Sequence, residues 1–361
     1  MVPGGVDPSG ERRVIPALLA LLRRLAAQHQ VFVFALWQDE RTASWDLHGA
    51  QVLNVGRGRT RWRALRAILA EHRRQRFDVV HAFWSGAPGL VAVAAARRLG
   101  IPSLVHVAGG ELVALPDIGY GSVTRRARLR EWTQLHLASV VTAASAPMVA
   151  RLADWGIDAL RVPLGVDLAQ WPAREPQRRP PGRPARVVHV ASLNRVKDQT
   201  TLLQAFARLR ASGVDFTADI VGEDTLHGEI QALAATLQLT DIVRFHGFKV
   251  QRELWPLVAG SDLLLMSSRH EAGPLAVLEA GALGVPTVGT AVGHILEWAP
   301  RAALAAPPQD AAGLAQAAAR LLQHEDERLR LAHEARSLAL MEDADYTARR
   351  FQQIYEEVTA R

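Results

Sequence analysis

Two carboxylates stand in surroundings that should not hold them. In RHEAGPLAVLEAGALGVPTVGTAVGHILEW, residues 269–298, the only formal charges between Arg269 and Glu297 are Glu271 and Glu279. A charge buried without a partner among Ala, Gly, Leu, Val and Pro costs several kcal/mol. Each Glu therefore needs either an arginine from elsewhere in the fold or a ligand, and the flanking residues favour a ligand. DLLLMSS (262–268) reads as a buried strand, the loop after it contains Gly273, and Pro274 suits a first helical turn, where its missing N–H costs nothing. The backbone N–H groups that open this helix, around Pro274, Leu275 and Ala276, form a seat for phosphate. Glu271 in the loop and Glu279 just over one turn into the helix would repel a phosphate. Both suit hydroxyl donors, such as a sugar and a ribose supply.

A cation stands out in the same way. Of 42 basic residues only Lys197 and Lys249 are lysines, so the chain uses Arg by default. A Lys kept against that bias serves where a compact point charge is wanted rather than a planar fork. Lys197 follows a strand in VASLNRVKDQT (190–200), with Arg195 close by, whereas Lys249 reads as a surface residue.

The elements that must position these groups are legible as alternating strands and helices. VFVFAL (31–36), DVVHAF (78–83), PSLVHV (102–107) and SVVTAA (139–144) read as strands, and residues 16–28, 62–74 and 89–99 as helices between them. The second half repeats the pattern with strands at 186–191, 215–221, 241–246, 262–267 and 286–290. Continuous apolar strands joined by helices predict parallel sheets covered on both faces. The expectation is two α/β domains, 1–165 and 166–341, with a proline-rich linker or extended loop at 169–185. A last helix at 342–361 presents Tyr346, Phe351, Ile354 and Tyr355 as a docking stripe for the first domain. One strand reads as missing. Gly4 and Gly5 arrive directly after Met-Val-Pro, where an apolar strand should feed the first turn, and the expectation is a native start upstream of Met1.

Bulk composition narrows the function classes. Hydrophobic content is 49%, cysteine is absent, and no apolar run approaches the roughly 18 residues of a membrane span. No export signal is visible, so a cytoplasmic protein is expected. The net charge of +6 is uneven, with 21 Arg against 12 acidic residues in the first 165 positions. That excess suits an anionic surface, and GRGRTRWRALRAILAEHRRQR (56–76) could lie on the inner face of an anionic membrane or pack as an ordinary helix. No nucleic-acid reader module is present, and no G-x-G-x-x-G opens a βαβ unit as a dehydrogenase would need.

Two glutamates seven residues apart on a Gly-bearing loop and its helix resemble the signature of family 4 glycosyltransferases. VASLNRVKDQTTLLQAFARL (190–209), VPLGVD (162–167) and residues 218–248 are similar to further segments of that family, and the first half matches more loosely. The resemblance implies a GT-B architecture of two Rossmann-like domains facing across a cleft. It implies retaining transfer of a hexose-type sugar from a nucleotide-diphosphate sugar to a hydroxyl acceptor, without a metal or other cofactor. Carried over, Lys197 and Arg195 would neutralise the diphosphate, Glu271 would hold sugar hydroxyls, and Glu279 the ribose. The amides after Gly273, through Pro274, Leu275 and Ala276, would take phosphate oxygens, and Gly4 and Gly5 would belong to the donor side. His81, His106, Glu111 and Asp117 are the acceptor-side candidates. The chain departs from the family pattern at Ser192, where many members have Arg, and at Ala108, where many have His. Those departures leave a second reading, an inactive relative that binds nucleotide sugars or an anionic surface.

Overall fold

The four apolar runs of the first half fold as strands. The computed structural model describes residues 1–360 and divides them into one unit of Met1–Gly165 with the stretch from Ala344, and a second of Val166–Asp343. In the first unit β1 (Phe32–Ala35) pairs in parallel with β3 (Ala50–Asn54), which also pairs antiparallel with β2 (Ala43–Leu47). The β2–β3 connection turns on His48 and Gly49, at φ 52° and 83°, the left-handed pair that two-residue hairpins require. Four parallel strands follow in the order β4 (Val80–Phe83), β5 (Ser103–Val107), β8 (Val140–Ala143) and β9 (Ala159–Arg161). A small hairpin of β6 (Ala114–Leu115) and β7 (Tyr120–Gly121) lies in the loop after β5.

The strand that reads as missing is present as a stub. Val2 N–H donates to Phe34 O at 3.1 Å and Leu36 N–H to Val2 O at 3.0 Å, while Phe83 N–H reaches Met1 O at 2.9 Å. Met1 and Val2 thereby join the two sheets, and Met1 N donates to His81 O at 2.7 Å. Burial pushes the Met1 amine down to about 5. A cavity of about 420 Å³ lies against the stub, lined among others by Leu18, Leu22, Phe34, Phe77, Val80 and Tyr355. The turn that follows is internal structure. Gly5 N–H and Val6 N–H donate to the Gln38 side-chain carbonyl at 2.7 and 3.0 Å, and Gly5 has φ 83°. Gly4 packs on the same Gln38, so the Gly5 and Val6 amides of this turn are used within the fold.

The C-terminal helix Ala344–Thr359 belongs to the first unit and buries Phe351 and Ile354 of the expected stripe. Thr347 ties it down, its hydroxyl donating to Pro163 O at 2.7 Å and accepting from Gly165 N–H at 2.8 Å.

The second unit carries six parallel strands: β10 (Ala185–Val190), β11 (Phe216–Val221), β12 (Val243–Phe245), β13 (Leu263–Met266), β14 (Thr287–Thr290) and β15 (Ala303–Ala306). Their order is β12-β11-β10-β13-β14-β15. The sheet grows outward from β10 in one direction and from β13 in the other, so the switch point lies between them. Ligands of such sheets sit outside the carboxyl ends of the strands at that point. The loops after β10 and β13 contain Lys197 and Glu271. The proline-rich stretch is a packed strap rather than a free linker: Trp171 is 2% exposed in the core and Arg174 N–H donates to Ala282 O at 3.0 Å. Arg328, also 2% exposed, pairs with Glu325 and donates to Gln177 O at 2.6 Å, holding the strap from the other side.

Candidate active site

Two loops at the switch point are stitched together by one backbone and one side-chain hydrogen bond. Arg269 N–H donates to Val196 O at 2.7 Å, and Ser267 Oγ donates to Lys197 O at 2.8 Å. Across the seam Lys197 Nζ lies 2.5 Å from Glu271 Oε1, which also accepts from Ser268 Oγ at 2.7 Å. The Lys197 side chain is 24% exposed and that of Glu271 10%, so the pair is shielded yet reachable. Glu271 thus has its cation inside the fold, and the cation is the anomalous lysine.

Beneath the loops lies a residue pair that sequence reasoning missed. His189 Nδ1 is 2.8 Å from the Leu265 carbonyl, which can only accept, so Nδ1 bears the proton and Nε2 accepts from Gln199 at 3.2 Å. Burial holds His189 neutral, lowering it to about 4. Gln199 also donates to Ser192 O at 3.1 Å, so a neutral histidine in the core sets the first turn of the Lys197 loop. A polar residue inside the apolar run RVVHVA is the only signal for it.

After β13 the chain enters the helix Leu275–Ala282 with Pro274 at its N-cap position, one residue earlier than expected, and no side chain caps it. The first N–H groups, of Leu275 and Ala276, lack intrahelical partners by the geometry of any helix start. Gly293, at φ 49°, backs the loop, and a Cβ there would stand 2.9 Å from Pro274 Cδ and 3.1 Å from Glu271 O. Glu279 is 7% exposed, and Gln251 Nε2, 3.4 Å away, supplies the one protein hydrogen bond to its side chain among the described residues. Burial pushes its carboxyl up to about 7.

Arg195 stands apart from this cluster. Its guanidinium is bidentate on Glu229 at 2.7 and 2.7 Å, both side chains about half exposed, and Asp198 instead caps its own helix through Thr201. The structure therefore places the Arg195 fork on Glu229, away from Lys197, and does not bring the two expected cations together.

The first-unit candidates divide. His106 is fully buried on β5 with Nδ1 2.9 Å from Thr142 Oγ1, and burial lowers it to about 3. His81 shares a 2.7 Å hydrogen bond with Tyr355, and its Nε2 is inaccessible. Both are core histidines packed on Phe351, which corrects their assignment to an acceptor, since neither offers a nitrogen to solvent. Asp117 is exposed on the 3₁₀ turn between β6 and β7. Glu111 is different. Ser85 N–H donates to its Oε1 at 3.3 Å, its Oε2 is shielded without a hydrogen-bond partner, and burial raises the carboxyl to about 7, helped by nearby Glu131.

Residues 17–170 match the family model described as Glycosyltransferase Family 4, and residues 172–338 the one described as Glycosyl transferases group 1. The chain belongs to the family 4 glycosyltransferases. WcaL of Salmonella typhimurium, named for colanic acid biosynthesis, is 30% identical over 160 residues, which are 42% of this chain and 39% of that protein. The family 4 chain described here therefore spans less than half of that relative. Sucrose-phosphate synthase from Thermosynechococcus elongatus superposes with a TM-score of 0.85 at 20% identity, over 99% of this chain and 98% of that one. HepE of Anabaena, solved with UDP and glucose, gives 0.76 at 17% identity over 100% and 98%. At these identities the likeness is one of fold, and the fold is GT-B.

Proposed function

We propose that this family 4 chain transfers a hexose-type sugar from a nucleoside-diphosphate sugar to a hydroxyl acceptor with retention and without a metal. The observation that carries the reading is the Lys197–Glu271 pair, set at the switch point beside an uncapped helix start. A diphosphate seated on the N–H groups of Leu275 and Ala276 would draw Lys197 from Glu271 and free that carboxylate for sugar hydroxyls. In the transfer the anomeric C–O bond to the β-phosphate breaks as the acceptor oxygen bonds on the same face. The acceptor proton passes to the departing phosphate. Lys197 and the helix dipole stabilise the charge that develops there. Glu279 would accept from the ribose hydroxyls. HepE, the structural neighbour solved with UDP and glucose, supports a nucleotide-sugar donor.

On the first unit, Glu111 is the acceptor-side residue we favour, because burial holds its carboxyl at about 7, and its shielded Oε2 would have to be uncovered for a hydroxyl to reach it. Exposed Trp62, Leu129 and Trp132 lie on arginine-rich helices and support peripheral contact with an anionic membrane, in keeping with a cytoplasmic enzyme. No helix among the described residues is long and apolar enough to cross a bilayer.

Glu279 gives the reading a pH signature. Its folded-state value of about 7 exceeds the ordinary 4.5, so its contribution to stability is full below 4.5 and is lost as pH rises through 7. Ribose hydroxyls favour the ionised form, so nucleotide binding should release a proton near pH 7 and none well above it. Calorimetry of UDP binding in buffers of different ionisation enthalpy reads this directly, with about half a proton expected at pH 7.

The reaction itself is tested with a panel of nucleotide sugars, following free nucleoside diphosphate in the wild type and in Glu271→Ala. Release from one donor, absent in the variant, is expected, with product configuration read by NMR. Donor binding without release across an acceptor panel would point instead to the binding-only relative.

A further inference from the structure

We propose that Gln251 is a positioning residue for the carboxylate of Glu279, and that Trp171 fixes the orientation in which Gln251 acts. The inference rests on the donor-site reading above and extends it to two residues outside the E-x7-E pair. Trp171 comes from the proline-rich strap, Gln251 opens the helix Gln251–Ala259, and Glu279 sits in the helix Leu275–Ala282. The sequence separates them widely, and the fold of the second unit brings them into one line.

An amide has two faces of opposite chemistry, and nothing within glutamine decides which one it shows. Here the indole decides. Trp171 is 2% exposed, and its N–H, which can only donate, is hydrogen-bonded to Gln251 Oε1. With the oxygen so occupied, Gln251 must turn Nε2 toward Glu279, whose Oε1 is 3.4 Å away. That distance is at the loose end of hydrogen bonding, so Gln251 is held mainly from the tryptophan side. The result is a carboxylate that receives one N–H from the protein and keeps its remaining lone pairs for a ligand.

The consequence concerns a vicinal diol. An ionised carboxylate can accept from two neighbouring hydroxyls at once, whereas a protonated or rotated one must donate to, or miss, one of them. Gln251 favours the ionised form and limits rotation. It therefore serves discrimination for ribose over deoxyribose rather than affinity for the phosphates.

The test uses the full chain and calorimetric titration with UDP and GDP, each beside its 2′-deoxy form. Wild type, Glu279→Ala, Gln251→Leu and Trp171→Phe are compared, with melting curves as a check on folding. The wild type should prefer the ribonucleotide roughly tenfold to hundredfold, the range for a hydrogen bond to a charged group. Glu279→Ala should abolish that preference. Gln251→Leu and Trp171→Phe should each lower it about threefold to tenfold while deoxynucleotide affinity holds within about twofold. The double variant should lose no more than the larger single change, because the two residues act in series. Should Trp171→Phe fail to fold, Gln251→Glu takes its place, with the preference lost through repulsion. A preference lost in Glu279→Ala but kept in Gln251→Leu would overturn the inference and leave the donor site standing. An equal loss of affinity for both nucleotide forms in Gln251→Leu would reduce its role to local structure and overturn the inference as well. A preference kept in Glu279→Ala would overturn the donor-site reading itself, and the inference with it.

Discussion

Lys197→Met should lower the transfer rate by about a hundredfold to a thousandfold, the loss found when one donor to a developing oxyanion is removed. The side chain keeps its unbranched stem and loses the ammonium with its charge and N–H donors, so the effect reports leaving-group stabilisation. The same change leaves the Glu271 carboxylate, 10% exposed, with Ser268 as its hydrogen-bond partner. A stability loss of about 1–3 kcal/mol should accompany it, below the figure for a fully buried pair because Lys197 is 24% exposed. Lys197→Arg should recover stability better than rate, since a planar fork does not reproduce a compact charge between two stitched loops. Arg195→Ala is the control. Its guanidinium is already paired with Glu229 on the surface, so rate should change less than about threefold. Steady-state release of nucleoside diphosphate, with denaturation curves alongside, decides the matter. A Lys197→Met enzyme within twofold of wild type would remove Lys197 from the reaction.

Phe351→Ala should cost about 3–5 kcal/mol of folding stability, the range for deleting a buried aromatic ring. Phe351 is fully buried, with its ring centroid 4.8 Å from His81, 5.7 Å from Phe83 and 5.4 Å from His106. Its loss opens a void beside two histidines that burial keeps neutral, and water entering there would let them charge. The wild type loses stability as pH falls below the ordinary histidine value of 6.5, the hydrated variant loses less, and the destabilisation should therefore shrink over that range. The sign follows from the depressed folded-state values of the wild type: its unfolded chain takes up protons that its folded chain refuses, whereas the folded variant can accept them. Urea denaturation of Phe351→Ala and Phe351→Leu across that range measures both effects. A change below about 1 kcal/mol for the alanine variant would mean that the C-terminal helix is not anchored by this residue.

The parts of the site that the sequence announces are those where a residue conflicts with its neighbours. Glu271 and Glu279 stand out because carboxylates do not belong in an apolar run, and Lys197 because the chain otherwise uses Arg. β10, β13 and β14 are legible for the same local reason, as continuous apolar runs in a sheet covered on both faces. What is not legible is pairing across distance. Arg195 and Glu229 are 34 positions apart, Gln251 and Glu279 are 28, and their meeting depends on which strands are neighbours. β2 and β15 are missed because ASWDL and ALAA have neither a long apolar run nor strong β-branched content. His81 and His106 show the opposite failure. Chemistry-bearing residue types on strands look available in a sequence, and only the packing of Phe351 shows that they are core.

The central claim is that the second unit seats a nucleoside diphosphate between the Lys197 loop and the start of the helix Leu275–Ala282. A crystal structure of the chain grown with UDP or GDP tests it most directly. The account predicts phosphate oxygens within about 3.2 Å of Lys197 Nζ and of the Leu275 or Ala276 N–H, with ribose hydroxyls on Glu279 and the Lys197–Glu271 pair opened. A nucleotide bound elsewhere, with that pair still closed, would contradict it.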